Sequence, residues 1–141
     1  MVPTKLVDLV SKQPGDTVRL DKKAVKDCLN ELGVSPSSEL AIFYLDYKVS
    51  TFCSNASDEE LLDVVSPSGA ISRASNFVHE VWELPENFIC LSSVEAEGCY
   101  LYEKISGSVY DFDLADREDL IEGKLEPRWP SFFSFMIWYL S

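Results

Sequence analysis

The sequence predicts one α+β domain: N-terminal helices, an antiparallel sheet meander, and a C-terminal helix packed on the sheet. Three observations carry this. Apolar residues recur at helical spacing before residue 48. A β-hairpin signal lies between Gly98 and Leu114. An aromatic helix then closes the chain from Trp129 to Leu140. The 141 residues suffice for one hydrophobic core without disulfide staples.

The elements follow in order. Leu6, Val7, Leu9 and Val10 suit a short helix stopped by Pro14-Gly15. Residues 1–20 are otherwise ambiguous and are set apart as a peripheral N-terminal extension. Asp21 reads as the N-cap of a helix over Lys22–Leu32, because its side chain can accept an orphan backbone N–H. Val25, Cys28, Leu29 and Leu32 share one face of that helix, and Gly33 closes it. Ser35-Pro36 reads as the opening of a second helix, with Leu40, Phe43, Tyr44 and Tyr47 forming its stripe to about Lys48. Thr51–Asn55 reads as a turn or short strand. Asp58–Val65 begins acidic, ends apolar and suits a strand, closed by Ser66-Pro67-Ser68-Gly69. Residues 70–83 look helical, Leu84-Pro85 breaks the helix, and Phe88–Leu91 reads as a buried strand.

The hairpin is the clearest β signal. Gly98–Ile105 and Val109–Leu114 flank Ser106-Gly107-Ser108, where glycine can take positive φ. Tyr110, Phe112 and Leu114 alternate with Val109, Asp111 and Asp113, which predicts one buried and one wet face. Ala115–Pro127 reads as an acidic connector. The helix over Trp129–Leu140 is apolar nearly all round, so it is buried or shared with a partner.

Charge narrows the function classes. The chain has 24 acidic and 12 basic residues, a net charge of −12. Such a chain repels a phosphate backbone, which argues against nucleic acid as a partner. No apolar run reaches the length of a membrane span, so no membrane partner is expected. The first residues lack a basic and apolar secretory leader, and the expected address is cytoplasmic. Residues 1–33 carry a net +1 and residues 34–141 a net −13. The densest stretch, residues 111–126, sets seven acids against two bases. It reads as a solvated face, a docking surface for a basic partner, or a cation or acid–base site.

Chemistry-bearing motifs are sparse. Cys28, Cys53, Cys90 and Cys99 have no zinc spacing and read as small buried hydrophobes, although Cys90 and Cys99 are candidates for a bridge under oxidation. His79, the sole histidine, sits beside an apolar stripe and reads as a surface or half-buried side chain. No nucleotide-loop, zincin or nucleophile-elbow motif occurs. No catalytic, cofactor-binding or metal residues are assigned, and no enzyme activity is expected.

Four segments carry a family resemblance. They are Glu31-Leu-Gly-Val-Ser-Pro36 running into Phe43-Tyr-Leu45; Leu84-Pro-Glu-Asn-Phe-Ile-Cys-Leu91; Glu97-Gly-Cys-Tyr-Leu-Tyr102 with Gly107-Ser-Val-Tyr-Asp-Phe-Asp113; and Pro130-Ser-Phe-Phe-Ser-Phe135. In this order they resemble the SUKH superfamily of Smi/Knr-type domains, over about residues 25–140. The chain departs from the pattern in keeping only Gly98 before the central strand. It also has Tyr47-Lys-Val-Ser-Thr-Phe-Cys53 where the family has a glycine-rich segment. The resemblance implies a divergent member: a non-enzymatic interaction domain, such as an immunity protein that binds and neutralises a cognate toxin, often a nuclease.

The expected partner is therefore a basic protein. The candidate contact residues are Tyr110, Asp111, Asp113, Asp116, Glu118, Asp119 and Trp129, with an aromatic anchor beside a charged face. A monomer or weak homodimer is expected. The alternative reading is a regulatory or scaffold subunit that docks through the apolar C-terminal helix.

Overall fold

The computed structural model describes residues 1–94 and 97–141, with the backbone alone at 66–69. In chain order the elements are α1 (Thr4–Ser11), α2 (Lys22–Glu31), α3 (Glu39–Asp46), α4 (Ser66–Glu80), β1 (Phe88–Cys90), β2 (Gly98–Glu103), β3 (Val109–Asp113), a 3₁₀ turn (Leu114–Asp116), α5 (Arg117–Ile121) and α6 (Phe132–Leu140). The strands form an antiparallel sheet in the order β1-β2-β3. Cys90 pairs with Leu101, and Tyr100 with Asp111. The α+β class and the C-terminal helix on the sheet are as the sequence predicts. Phe135 lies 5.0 Å, centroid to centroid, from Tyr100, and Phe132 lies 6.2 Å from Tyr102.

The sheet is covered on both faces. Ile89, Tyr100, Tyr102 and Val109 point into a main core with Leu6, Val25, Leu40, Phe43, Phe132, Phe135 and Tyr139. Phe88, Cys90, Cys99, Leu101 and Phe112 point the other way, into a second core with Val78, Trp82, Leu84 and Leu120. The expectation of one wet face is therefore corrected. The alternation belongs to β3, an edge strand, where Asp111 and Asp113 are indeed exposed. The central strand β2 is buried on both faces, as a run of Cys, Tyr and Leu permits.

Capping explains several boundaries. Asp21 accepts the Ala24 amide at 3.2 Å and opens α2 as expected, and Gly33 follows that helix at φ 74°. Helix α3 opens later than expected. Ser38, not Ser35, caps it by accepting the Ala41 amide at 3.1 Å. Ser35 instead holds the preceding turn through the Ser37 and Ser38 amides. Segment Ser66–Gly69 does not close a strand but forms the first turn of α4, with proline at its start. Residues 58–65 make only an isolated bridge, Leu61 to Ser92. Trp129 precedes α6 and pairs with Val109 as an isolated bridge, so the helix begins after it, capped by Ser131. The acidic connector contains α5.

Residues 1–20 belong to the body of the domain rather than to a peripheral extension. Leu6 and Val10 of α1 are buried, and α1 packs on α6. Beyond α1, Arg19 is buried and reaches Asp63 in a two-point ion pair, at 2.9 and 2.7 Å. Two more of its N–H groups donate to the Tyr44 and Tyr47 carbonyls at 3.0 and 3.1 Å. Asp63 also accepts the Val49 and Val65 amides. A buried charge pair is tolerated when its lone pairs and protons are used in this way.

The single histidine covers a sheet edge. Half-buried His79 Nε2 meets the Phe88 carbonyl at 2.6 Å, and Ser75 Oγ, one turn earlier on α4, accepts the Cys90 amide at 2.9 Å. Two side chains thus satisfy backbone groups that β1 leaves unpaired. Cys90 and Cys99 are free thiols buried in the second core. A hydrogen bond with Cys90, together with burial, pushes the Cys99 thiol far up. Cys28 is only partly buried and Cys53 is exposed, so the reading of all four as buried hydrophobes holds for two.

Candidate partner-binding face

β3 and the chain that follows it place the predicted contact residues. Alternation along β3 puts Asp111 and Asp113 on the main-core side of the strand, at the exposed edge. Tyr110 lies on the opposite side, half-buried, with its ring 5.5 Å from Phe88 in an edge-on contact. Tyr110 and the two aspartates therefore do not share a surface.

The acids divide into engaged and open groups. Asp111 Oδ2 accepts from Arg128 Nη1 at 2.8 Å. Asp113 accepts the Ala115 amide at 2.9 Å and so caps the 3₁₀ turn. Glu118 pairs with Arg117, whose guanidinium also reaches Glu83 at 3.4 Å and the Trp82 carbonyl at 2.7 Å. Asp116 is half-buried and Asp119 exposed. Lys124 pairs with Glu122 at 2.9 Å. Arg117, Lys124 and Arg128 are thus each matched to an acid of this corner, and it remains net negative.

Trp129 is not an exposed anchor; it is 6% accessible. Phe135 packs on it at 4.9 Å and Trp138 at 4.7 Å, centroid to centroid. The Arg128 guanidinium lies over both indoles, 4.7 Å from Trp129 and 4.6 Å from Trp138. This aromatic–cation arrangement had no signal in the sequence beyond adjacency of Arg128 and Trp129. It depends on α6 bringing Trp138 back to the edge of β3.

Another carboxylate, from the acidic run Asp58-Glu59-Glu60, has a place here that its sequence neighbours do not signal. Half-buried Glu59 accepts from Ser92 Oγ at 3.0 Å. Burial pushes its carboxyl up, the Ser92 bond partly offsets this, and the field of Asp111 adds to the rise. Its loop is held by Ser57 Oγ against the Tyr100 hydroxyl at 2.5 Å and by the Tyr139 hydroxyl on the Glu59 carbonyl at 2.8 Å.

Helix α6 presents little free apolar surface. Phe132, Phe135, Met136, Tyr139 and Leu140 are buried, and Phe133, Ile137 and Trp138 are half-buried. Among the described residues no group of three His, Cys, Asp or Glu side chains is placed to hold a metal ion. No helix among them is long and apolar enough to cross a membrane. Compared with protein-family models, curated proteins and solved structures, the chain gives no match.

Proposed function

We propose that this chain is a non-enzymatic protein-binding domain of SUKH type, an immunity protein that captures and neutralises a basic toxin. The observation that carries the reading is the net negative corner built from the end of β3, the 3₁₀ turn and α5. Its exposed Asp113, Glu118 and Asp119 project from this short segment. Carboxylates on such a segment speed encounter with a cationic surface and reject acidic competitors. A nuclease carries its positive charge where phosphates bind, so an acidic inhibitor can cover that track. The resemblance in the four sequence segments supports the same class of partner, and the cytoplasm is its proposed compartment.

The test is capture of the partner from native lysate with tagged protein, at low and high salt. One stoichiometric basic protein, weakened by salt, is expected. The triple change Asp113→Lys, Glu118→Lys and Asp119→Lys is expected to cut capture at least about tenfold, since reversed rim charges act on encounter and salt dependence. Undiminished capture by that variant removes this corner from the interface.

A further inference from the structure

The chain's own Arg128 covers the joined edge of Trp129 and Trp138, which pack on each other at 4.7 Å, centroid to centroid. The two indoles meet at 45°, forming a V-shaped notch, and the guanidinium sits under 5 Å from each ring centroid. Asp111 closes one end with its carboxylate. Two aromatic faces with a carboxylate at one end are the surroundings that a planar, weakly hydrated guanidinium favours over an ammonium. The resident side chain shows what chemistry the notch accepts.

The walls belong to the framework of the fold, whereas the filler is held by its head group alone. Trp129 is pinned to β3 by two backbone hydrogen bonds with Val109, at 2.9 and 3.1 Å. Trp138 is carried on α6, whose opposite side is core. Asp111 is part of β3. Arg128, by contrast, hangs outside: about half of its side chain is accessible, and among the described residues its hydrogen-bond partner is Asp111. Swinging it out exposes two indole faces and frees a carboxylate, with no backbone bond broken.

We infer that this notch is an arginine-receiving site: an arginine side chain of a basic partner protein enters it by displacing Arg128. The exchange swaps one guanidinium for another, so it loses little contact energy, and the freed Arg128 is released to solvent. The inference rests on the proposed reading that the chain binds a basic protein, and adds where and how one partner side chain is held. It also turns Trp129 from a buried residue into a surface uncovered on binding.

The experiment uses the full chain and a short capped peptide carrying one arginine, with the citrulline peptide as control. Binding is followed through the indole N–H resonances of Trp129 and Trp138. Arg128→Ala is expected to bind the arginine peptide saturably and at least about tenfold more tightly than the unchanged chain, because the occupied slot reduces the competent fraction. The citrulline peptide is expected not to bind, and Asp111→Asn added to Arg128→Ala is expected to remove most of the gain. Equal titration of the unchanged chain and Arg128→Ala overturns the inference, as does equal binding of the citrulline peptide. Arg128→Gln serves if the alanine variant does not fold. If neither folds, the inference also fails, since a slot the fold needs filled cannot be vacated. None of these outcomes touches the α5 corner, which the lysate capture tests separately.

Discussion

Removing one partner of the Arg19–Asp63 pair is expected to be among the most damaging single changes. Side-chain exposure is 5% for Arg19 and 1% for Asp63. Asp63→Ala leaves a buried guanidinium with two N–H groups unmatched, and orphans the Val49 and Val65 amides. Breaking a buried pair from one side costs about 3–5 kcal/mol. Against a total stability of roughly 5–15 kcal/mol, that is a large share. With a urea m-value of about 2 kcal/mol/M, a loss of about 4 kcal/mol lowers the unfolding midpoint by about 2 M.

The double variant is the sharper test. Arg19→Met with Asp63→Leu removes both charges but still strands the Tyr44 and Tyr47 carbonyls and the two amides. It is expected to cost about as much as either single change, not their sum. Urea melts of the four proteins, read by tryptophan fluorescence, give the coupling. Additivity within about 0.5 kcal/mol would refute a specific pair. A midpoint for Asp63→Ala close to that of the unchanged chain would refute the burial argument.

Three further outcomes are expected. Glu59→Gln should stabilise the protein at neutral pH, because burial raises the folded carboxyl and penalises its charged form. That gain should shrink as pH falls through the raised value and the unchanged chain takes up its proton, and a pH-independent gap between the melts would contradict this. Glu103 works in the opposite sense. Burial opposes its charge, but hydrogen bonds from Asn87, Ser106 and Ile105 outweigh that and hold the carboxyl below its usual range. Its contribution is present above the ordinary glutamate value near about 4.3 and is lost as pH falls through the lower folded one. Melts of Glu103→Gln and the unchanged chain should therefore converge in acid, and a constant difference would count against the assignment. Finally, Gly98→Ala would put a Cβ 2.6 Å from the Phe112 carbonyl oxygen. Prying β2 from β3 there should cost about 1–3 kcal/mol, and an unchanged urea midpoint would show that the strands yield freely.

Local chemistry was legible in the sequence where one signal stood alone. Asp21 and Gly33 bracket α2 because no other capping residue competes at either end. At α3 three serines compete, Ser35, Ser37 and Ser38, and Ser38, with Glu39 after it, takes the cap while Ser35 holds the turn. Long-range partnerships left no local trace. Asp63 sits in a stretch that begins acidic and ends apolar, which reads as a strand, yet Arg19 draws it inward from far upstream. The burial of both sheet faces was hidden because the readable alternation lay on the edge strand. The candidate acids were found from density alone, which says nothing of their counter-charges. Arg128, Arg117 and Glu59 emerge only when the fold brings their neighbours together.

The packing of α1 on α6 has a kinetic consequence. The second core is assembled from α4, the sheet and α5, which are neighbours along the chain. The main core closes only when the first and last helices meet, across nearly the whole sequence. Contacts of such separation are slow to form, because loop entropy is spent before they return anything. Val78→Ala is therefore expected to slow refolding, whereas Leu6→Ala should leave refolding largely unchanged and quicken unfolding. On this ordering the N-terminal helix is the latch of the structure, the last piece to seat and the first to lift.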